Sequence, residues 1–279
     1  MSRIDKVFYA DLTWPEVKEV VAEKRVVLIP VGSTEQHGPH LPLKVDWLCP
    51  SEICAAAARE IPSYVVVMPT VYYGFQEHAL SFPGTISISE QNYVGFVFDI
   101  CRSLIHHGFR KMIIVNGHGG NNSYLDVASR RVNNAFHDAY CCVVTWWDLV
   151  FRGPYREEMI RLRQSEFPGG MAHACELETS LMLKLAPELV QMEKATKFIP
   201  KHDRFIFTDL MLGGRNSDGP IVFAGITGRG GYPPEGITGD PTVATKEKGE
   251  KWFDAAVQSL VEFIKVWKEA EILPVKDFH

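Results

Sequence analysis

Residues 25–31 read Arg-Val-Val-Leu-Ile-Pro-Val, in which Arg25 is followed by an uninterrupted apolar run rich in β-branched side chains. A run that stays apolar, without alternating polar residues, is typical of a strand buried on both faces of a parallel sheet. Three later segments share this character, at residues 65–68 (VVVM), 112–115 (MIIV) and 141–145 (CCVVT). The sequence therefore predicts a mostly parallel central sheet that helices cover on both sides.

Longer stretches with helical periodicity separate the predicted strands. Thr13 is suited to cap the first of them, and Gly108 is placed to end the third. The predicted helices span residues 14–23, 50–60, 90–107, 122–136, 176–185 and 245–266. This alternation favours one α/β domain over residues 1–279. We expect the glycine-rich segment at 201–242 to form a long loop or small subdomain over one edge of the sheet.

The composition indicates a globular protein without nucleic acid or membrane partners. Hydrophobic residues make up 46% of the 279 residues and charged residues 23%, which excludes a disordered chain. The net charge of −5 makes nucleic acid and anionic membranes unsuitable partners. The six cysteines form no CxxC pair, no apolar stretch is long enough to span a membrane, and the N-terminus lacks an apolar signal region. We therefore expect a cytoplasmic protein.

Polar side chains follow the first and third predicted strands, where ligands bind in open α/β sheets. Glu35 and His37 come shortly after the first strand, Asp46 closes the same loop, and His118 follows the third strand in a glycine-rich turn. Glu35 and His37 are two residues apart on an extended backbone, so both side chains point the same way and can bind one or two cations. Asp46 is placed to bridge two such cations. Carboxylates with imidazoles suit Zn, Mn or Fe. Alternatively, Glu35 and His37 cap the next helix, and the glycine-rich turn binds an anion.

A third group of titratable residues surrounds the start of the predicted helix at residues 176–185. His173 precedes this helix and is a candidate general acid or base, while Glu176 and Glu178 lie in its first turn. Each has a plainer alternative, either a surface histidine or an acid that stabilises a helix N-terminus. Cys175 is the cysteine best placed to act as a nucleophile, and a buried structural thiol is the alternative.

Five motifs occur in a fixed order over nearly the whole chain. They are Glu35-Gln-His37-Gly-Pro-His-Leu-Pro-Leu with Asp46, Phe82-Pro-Gly-Thr85, Asn116-Gly-His118-Gly-Gly-Asn121, Glu178-Thr-Ser180, and Gly239-Asp-Pro241 with Glu247-Lys-Gly-Glu250. This series resembles the creatininase (creatinine amidohydrolase) family. The resemblance implies a three-layer α/β/α sandwich with a mostly parallel central sheet, a two-metal hydrolase site, and homo-oligomers that are often hexamers.

The resemblance also implies roles for individual residues. The metal ligands that it implies are Glu35, His37, Asp46 and His118. Asp46 is expected to bridge two divalent ions. Creatininase itself completes its site with a glutamate two residues after the motif histidine, whereas this chain has Gly120 there. Members with the glycine-rich version are expected to take the last ligand from the Glu-Thr-Ser motif, which here is Glu178.

The surroundings of the implied site depart from creatininase itself. Gly119 replaces a tyrosine that directly follows the motif histidine, and the Gly169-Gly170 pair replaces a tryptophan shortly before His173. Of the aromatic box for a flat creatinine ring, Trp147 with Asp148 is the part that remains, so we expect another substrate. The residues predicted to contact it are His78, Trp147, Gly119 and Gly120. Further polar candidates for a hydroxylated ring are Glu77, His173, Arg229 and His202.

Other branches of the family open other bonds. One removes a formyl group from a formamidopyrimidine, one trims a peptide, and one hydrolyses a carbon–carbon bond in a cyclic inositol-derived diketone. We therefore predict a hydrolase of a small cyclic carbonyl compound, in which a metal-activated water attacks and His173 or Glu176 protonates the leaving nitrogen or carbon. The alternatives are a binding or assembly protein on the same scaffold, and a nucleotide-binding protein that uses the loop at Gly119 and Gly120.

Overall fold

The fold is built on a four-stranded parallel sheet. The computed structural model describes residues 5–199, 209–212 and 233–274. The strands are β1 Val26–Val31, β2 Val65–Val67, β3 Lys111–Asn116 and β4 Tyr140–Thr145. They are hydrogen-bonded in the order β2-β1-β3-β4, all in parallel, so that Val27 pairs with Val66 on one side and Met112 on the other. The four predicted strands are confirmed: β1, β2 and nearly all of β3 are buried on both faces, whereas the edge strand β4 is only partly buried.

Helices cover both faces of the sheet. They are α1 Trp14–Ala22, α2 Val45–Glu60, α3 Glu90–His106, α4 Asn122–Ala135, α5 Trp146–Arg152, α6 Arg156–Arg161, α7 Glu176–Leu185 and α8 Lys246–Glu269. Val26 and Leu28 pack into one core with α2, α5, α7 and α8, whereas Val27 and Ile29 pack into a second core with α1, α3 and α4. The three-layer α/β/α sandwich is therefore confirmed. Among the described helices, none is long and apolar enough to cross a membrane.

Helix α2 begins at Val45, earlier than the predicted start at Pro50. The prediction started there because proline suits the first turn of a helix, where its missing N–H is not needed. In the structure Pro50 lies inside α2 and not in its first turn. Because proline has no N–H, it cannot donate the helical hydrogen bond to the carbonyl four residues earlier, which belongs to Asp46. Asp46 consequently lies in the first turn of α2 and not at the far end of a loop.

Several short elements have no clear signal in the sequence. Helix α5 is buried on nearly every side, so no polar face reveals its helical period. Strands β5 Met171–His173 and β6 Thr238–Gly239 form a small antiparallel sheet that is too short to predict. Most of the glycine-rich segment at 201–242 lies outside the described residues. Besides β6, its described part contains single turns at Leu210–Leu212 and Pro241–Val243.

The first turn of α2 lies against the carboxyl ends of β1 and β3. A Cβ atom at Gly117 would lie 1.9 Å from the Asp46 carbonyl oxygen and 2.7 Å from Pro50 Cδ, and one at Gly32 would lie 2.5 Å from the same carbonyl. The Gly117 N–H also donates to the Val31 carbonyl at 2.8 Å. Two glycines therefore allow the backbone of α2 to approach the sheet closely enough to hold Asp46 at its edge.

Candidate metal centre

Six buried side chains with metal-ligating atoms lie together at the carboxyl edge of the sheet. They form three overlapping triads, each with its ligating atoms within 4.8 Å of one another: Glu35, Asp46 and His118; His37, Asp46 and Glu178; and Glu35, His37 and His173. The structure thus brings together the five ligands that the resemblance implies, with His173 beside them. Asp46 is shared by the first two triads, as a bridging carboxylate would be.

The imidazole of His37 is oriented by its own loop. Its Nδ1 lies 3.2 Å from the Glu35 carbonyl oxygen, which can only accept, so Nδ1 carries the proton and donates it. The other nitrogen, Nε2, then presents a lone pair 3.1 Å from Asp46 Oδ1 and 3.8 Å from Glu178 Oε1. A histidine that donates one N–H to a backbone carbonyl and offers the other nitrogen is the usual arrangement of a metal ligand.

His118 shows the same arrangement on the other side of Asp46. Its Nε2–H donates to the Phe75 carbonyl at 3.0 Å. Its Nδ1 therefore faces Glu35 Oε2 and Asp46 Oδ2, each 3.1 Å away, and can bind either a proton or a metal ion there. The two carboxylate oxygens of Asp46 thus face the acceptor nitrogens of two different histidines.

Several polar atoms of this cluster have no hydrogen-bond partner within the described part of the chain. These atoms are Glu35 Oε1 and Oε2, His37 Nε2 and Asp46 Oδ2, all of them buried. Lone pairs that face lone pairs in a buried site are costly unless a positive charge lies between them. The oxygen and nitrogen donors present here fit divalent Zn, Mn or Fe.

The electrostatics of the cluster also favour a positive charge. Burial raises the pKa of Glu35 to about 7, although His118 opposes the shift. Burial alone would lower the pKa of His118, but the carboxylates of Asp46 and Glu35 outweigh it and raise that pKa to about 10. The pKa of His37 is likewise held well above its usual value, because Asp46 and Glu178 outweigh its burial. The carboxylates therefore draw either protons or metal ions into the site.

Glu178 reaches the cluster from the first turn of α7. Its Oε2 accepts from the Cys175 N–H at 3.2 Å in a capping box, which leaves Oε1 directed towards His37. At the position of the missing glutamate, a Cβ atom on Gly120 would lie 2.3 Å from His118 Nε2 and 2.8 Å from the Phe75 carbonyl. A side chain at Gly120 is therefore incompatible with the hydrogen bond that orients His118.

The surroundings of Glu176 differ from those predicted for a proton donor. The carboxylate is fully buried and accepts from Lys248 Nζ at 2.5 Å and from the N–H groups of Gln164 and Ser165 at 3.0 and 2.9 Å. Lys248 Nζ also donates to Gln164 Oε1 at 2.9 Å. These donors occupy the Glu176 carboxylate, so Glu176 forms a buried ion pair with Lys248 that joins α7 to α8.

Replacing Lys248 by methionine should lower the free energy of unfolding by about 3–5 kcal/mol, because Glu176 would keep a buried charge without its partner. Metal content should stay at the wild-type value. Urea unfolding and metal analysis measure the two effects. The matched control is Lys246→Met in the same turn of α8, where the side chain is 58% exposed and the expected change is within about 0.5 kcal/mol. Equal stability of Lys248→Met and wild type would contradict a structural role for this pair.

The residues predicted to contact substrate lie partly beside the metal-ligating cluster and partly in the hydrophobic core. His78 lies in a single turn beside the cluster, with its ring centroid 6.3 Å from that of His118, and burial lowers its pKa to about 4. Gly119 is exposed immediately after His118. Trp147, by contrast, is 3% exposed and packs with Trp146 in the hydrophobic core, because α5 turns it inward. The structure therefore places His78 and Gly119 beside the cluster and Trp147 in the core, and contact of the first two with substrate stays a prediction.

The remaining polar candidates are more peripheral. Glu77 is exposed next to His78, whereas Arg229 and His202 lie outside the described residues. Cys175 is buried and caps α7, and burial raises the pKa of its thiol well above the usual value. A buried thiol of high pKa is a poor nucleophile, which favours the structural interpretation of Cys175.

Two contributors to the site have weak or no signals in the sequence. Gln36 holds His173, whose Nε2 lies 3.0 Å from the Gln36 amide nitrogen and 2.9 Å from the Gln36 carbonyl oxygen. In the sequence, only the position of Gln36 between the predicted ligands Glu35 and His37 indicates this role. Phe75 orients His118 through its main-chain carbonyl, which no pattern of side chains reveals.

An α/β sandwich with a buried carboxylate and imidazole cluster at the carboxyl edge of its sheet defines a candidate metalloenzyme. The chain belongs to the creatininase family, because the family model described as creatinine amidohydrolase matches residues 10–264. The members of this family compared below are hydrolases.

Three curated relatives cover most of the chain. Creatinine amidohydrolase of Pseudomonas putida is 31% identical over 279 residues, which is 93% of this chain and 96% of the relative. The 3-dehydro-scyllo-inosose hydrolase of Thermotoga maritima is 26% identical over 280 residues, covering 95% and 85%. The mycofactocin precursor peptide peptidase of Mycobacterium ulcerans is 30% identical over 263 residues, covering 91% and 86%.

Solved creatininase structures share the fold. A mutant creatininase of the Zn-Zn type matches with a TM-score of 0.78 at 30% identity, covering 96% of this chain and all of that one. A structure described as creatininase Mn matches with a TM-score of 0.76 at 31% identity, covering 95% and 100%. The chain is thus similar to metal-containing hydrolases throughout its sheet and flanking helices.

Proposed function

We propose that this chain is a binuclear metal hydrolase that acts on a small carbonyl compound other than creatinine. The observation that carries the proposal is the orientation of His37 and His118, which donate to backbone carbonyls and direct their other ring nitrogens towards the two oxygens of Asp46. One ion would be held by Glu35, Asp46 and His118, and the other by His37, Asp46 and Glu178. When bound, two divalent ions would supply a nucleophile from water at neutral pH and stabilise the charge that develops on the substrate carbonyl.

His173 is the proton carrier in this proposal. Its Nε2 lies 3.7 Å from Glu35 Oε1, and its ring centroid lies 4.3 Å from that of His37. Burial and the neighbouring His37 hold the pKa of His173 well below its usual value, so the imidazole is neutral at pH 7. The Gln36 carbonyl oxygen beside Nε2 can only accept, so the neutral imidazole carries its proton on Nε2. Its Nδ1 can then take a proton from the attacking water, and the imidazolium so formed can give its Nε2 proton to the leaving atom.

The space around the cluster supports a substrate other than creatinine. No atom of the described residues lies within 4 Å of a Cβ placed on Gly119, so that side of the site is open. Gly170 is closely packed instead, since a Cβ there would lie 2.4 Å from the Glu166 carbonyl. Neither position supplies an aromatic wall, while His78 offers a neutral imidazole that can hydrogen-bond to a polar ring.

A substrate screen with and without chelator tests the proposed activity. The panel contains creatinine, a formamidopyrimidine, short peptides and a cyclic inositol-derived ketone, and wild-type protein should bind about two ions per chain. Cleavage of one non-creatinine class that chelator abolishes would support the proposal and identify the bond as C–N or C–C. Two bound ions without hydrolysis would favour a binding or assembly protein, and failure to bind metal would overturn the site.

Replacing His173 by glutamine should lower kcat on the identified substrate by about 10²–10⁴-fold, because the proton carrier is lost. Metal content should remain at two ions per chain, since His173 lies outside the two proposed coordination sets. Steady-state kinetics and metal analysis provide both readouts, with the exposed His106→Gln on α3 as the control. Loss of an ion from His173→Gln would instead assign His173 to a coordination set.

A further inference from the structure

The three side chains of the Glu178-Thr179-Ser180 segment make three different connections from the first half of α7. Glu178 joins the metal cluster, Thr179 Oγ1 lies 3.0 Å from His40 Nε2, and Ser180 Oγ accepts from the Thr245 N–H at 3.2 Å. All three residues are buried, and His40 is fully buried as well. The hydrogen bonds of Thr179 and Ser180 therefore tie α7 to two separate parts of the chain.

His40 belongs to the loop that supplies Glu35 and His37, and it is hydrogen-bonded both to α7 and to the segment that follows it. Its side chain pairs with Thr179 in the first half of that helix. Its backbone carbonyl accepts from the Gln191 N–H at 2.9 Å, in the segment after α7 ends. His40 therefore fixes the position of α7 relative to the loop between β1 and α2.

We propose that the His40–Thr179 hydrogen bond is a positioning contact that sets whether Glu178 completes the second ion site. This inference rests on the proposed binuclear site. Glu178 Oε1 lies 3.8 Å from His37 Nε2, and these two atoms come from elements that the His40–Thr179 pair connects directly. Coordination tolerates errors of only about 0.2 Å in ligand distance, so a small shift of α7 away from the loop removes Glu178 from the second ion. The first ion, held by Glu35, Asp46 and His118, does not depend on α7.

The test compares metal binding by variants of the full-length protein, using Mn²⁺ or Zn²⁺ titrations and metal analysis after gel filtration. Thr179→Val keeps the shape of the side chain and removes the hydroxyl, and His40→Phe keeps a ring and removes the nitrogen. Each should weaken binding of the second ion by about 10–100-fold while the first ion stays bound. The double variant should be no weaker than the single variants, because both break the same hydrogen bond.

Two control variants separate positioning from a general effect on α7. Ser180→Ala removes a buried hydroxyl at the next position of the same helix and should keep both ions, as should the conservative Thr179→Ser. Thr179→Val that folds and binds both ions with wild-type affinity would overturn the inference, and so would equal weakening by Ser180→Ala. If Thr179→Val does not fold, His40→Phe decides the question by the same criterion. Wild-type protein that binds fewer than two ions would refute the binuclear proposal itself, and this inference with it.

Discussion

Replacing Asp46 by alanine should remove both metal ions and reduce hydrolysis by at least about 10²–10³-fold. Asp46 is the carboxylate shared by two triads, and its oxygens lie 3.1 Å from His37 Nε2 and 3.1 Å from His118 Nδ1. No other carboxylate of the cluster belongs to both of these triads, so its loss breaks both coordination sets at once. Metal analysis and turnover with the substrate found in the screen measure the result.

The matched control for this variant is Asp99→Ala on α3, where the side chain is 61% exposed and pairs with Arg102. It removes the same chemical group from a solvated surface and should leave metal content and kcat unchanged. Retention of two ions by Asp46→Ala would contradict the bridging role. Retention of one ion would show that the two sites do not depend on a shared ligand.

Replacing Gly117 by alanine should lower activity by about 10²-fold without touching a ligand side chain. The added Cβ would lie 1.9 Å from the Asp46 carbonyl oxygen, so α2 must move away from the ends of β1 and β3 by about 1 Å. Misplacing a reacting group by this distance lowers the rate of catalysis by about 10²-fold. Because Asp46 lies in the first turn of α2, it moves with the helix. We expect weaker binding of both ions and a lower melting temperature, measured by titration and calorimetry.

Gly119→Ala is the matched control for Gly117→Ala, because it adds the same methyl group to the same turn. A Cβ at Gly119 meets no atom of the described residues within 4 Å, so the substitution adds volume only to open space. Its metal affinity and melting temperature should match those of the wild type. Equal effects of the two alanines would show that the glycines matter for chain flexibility and not for the close approach of α2.

The sheet and most of the cluster could be predicted because each depends on local sequence. The run that follows Arg25 and its three counterparts are almost entirely apolar, and short runs of this kind are typical of strands covered on both faces. Glu35, His37 and His118 directly follow two of these strands, and neighbouring parallel strands end at the same edge of a sheet. Their meeting in one cluster therefore follows from the topology.

The features that the sequence did not predict depend on contacts between distant residues. Glu176 looked like a free acid at a helix start, but its partner Lys248 is 72 residues away on α8. Trp147 follows a strand as a substrate contact would, and only the packing of α5 shows that the indole faces the core. The start of α2 was obscured by Pro50, because proline is typical of the first turn of a helix, whereas here it lies inside a helix that begins at Val45.

The ligands of the candidate site come from three separated parts of the sequence, and the loop after β1 with the first turn of α2 precedes α7 by more than a hundred residues. An ion held between Asp46 and Glu178 acts as a removable cross-link between these parts. Because the unfolded chain cannot assemble the same donors, bound metal stabilises only the native state, by about 2.7 kcal/mol when the free ion is at 100 times its Kd. We therefore expect the folded fraction of this protein to depend on the supply of free metal as well as on temperature.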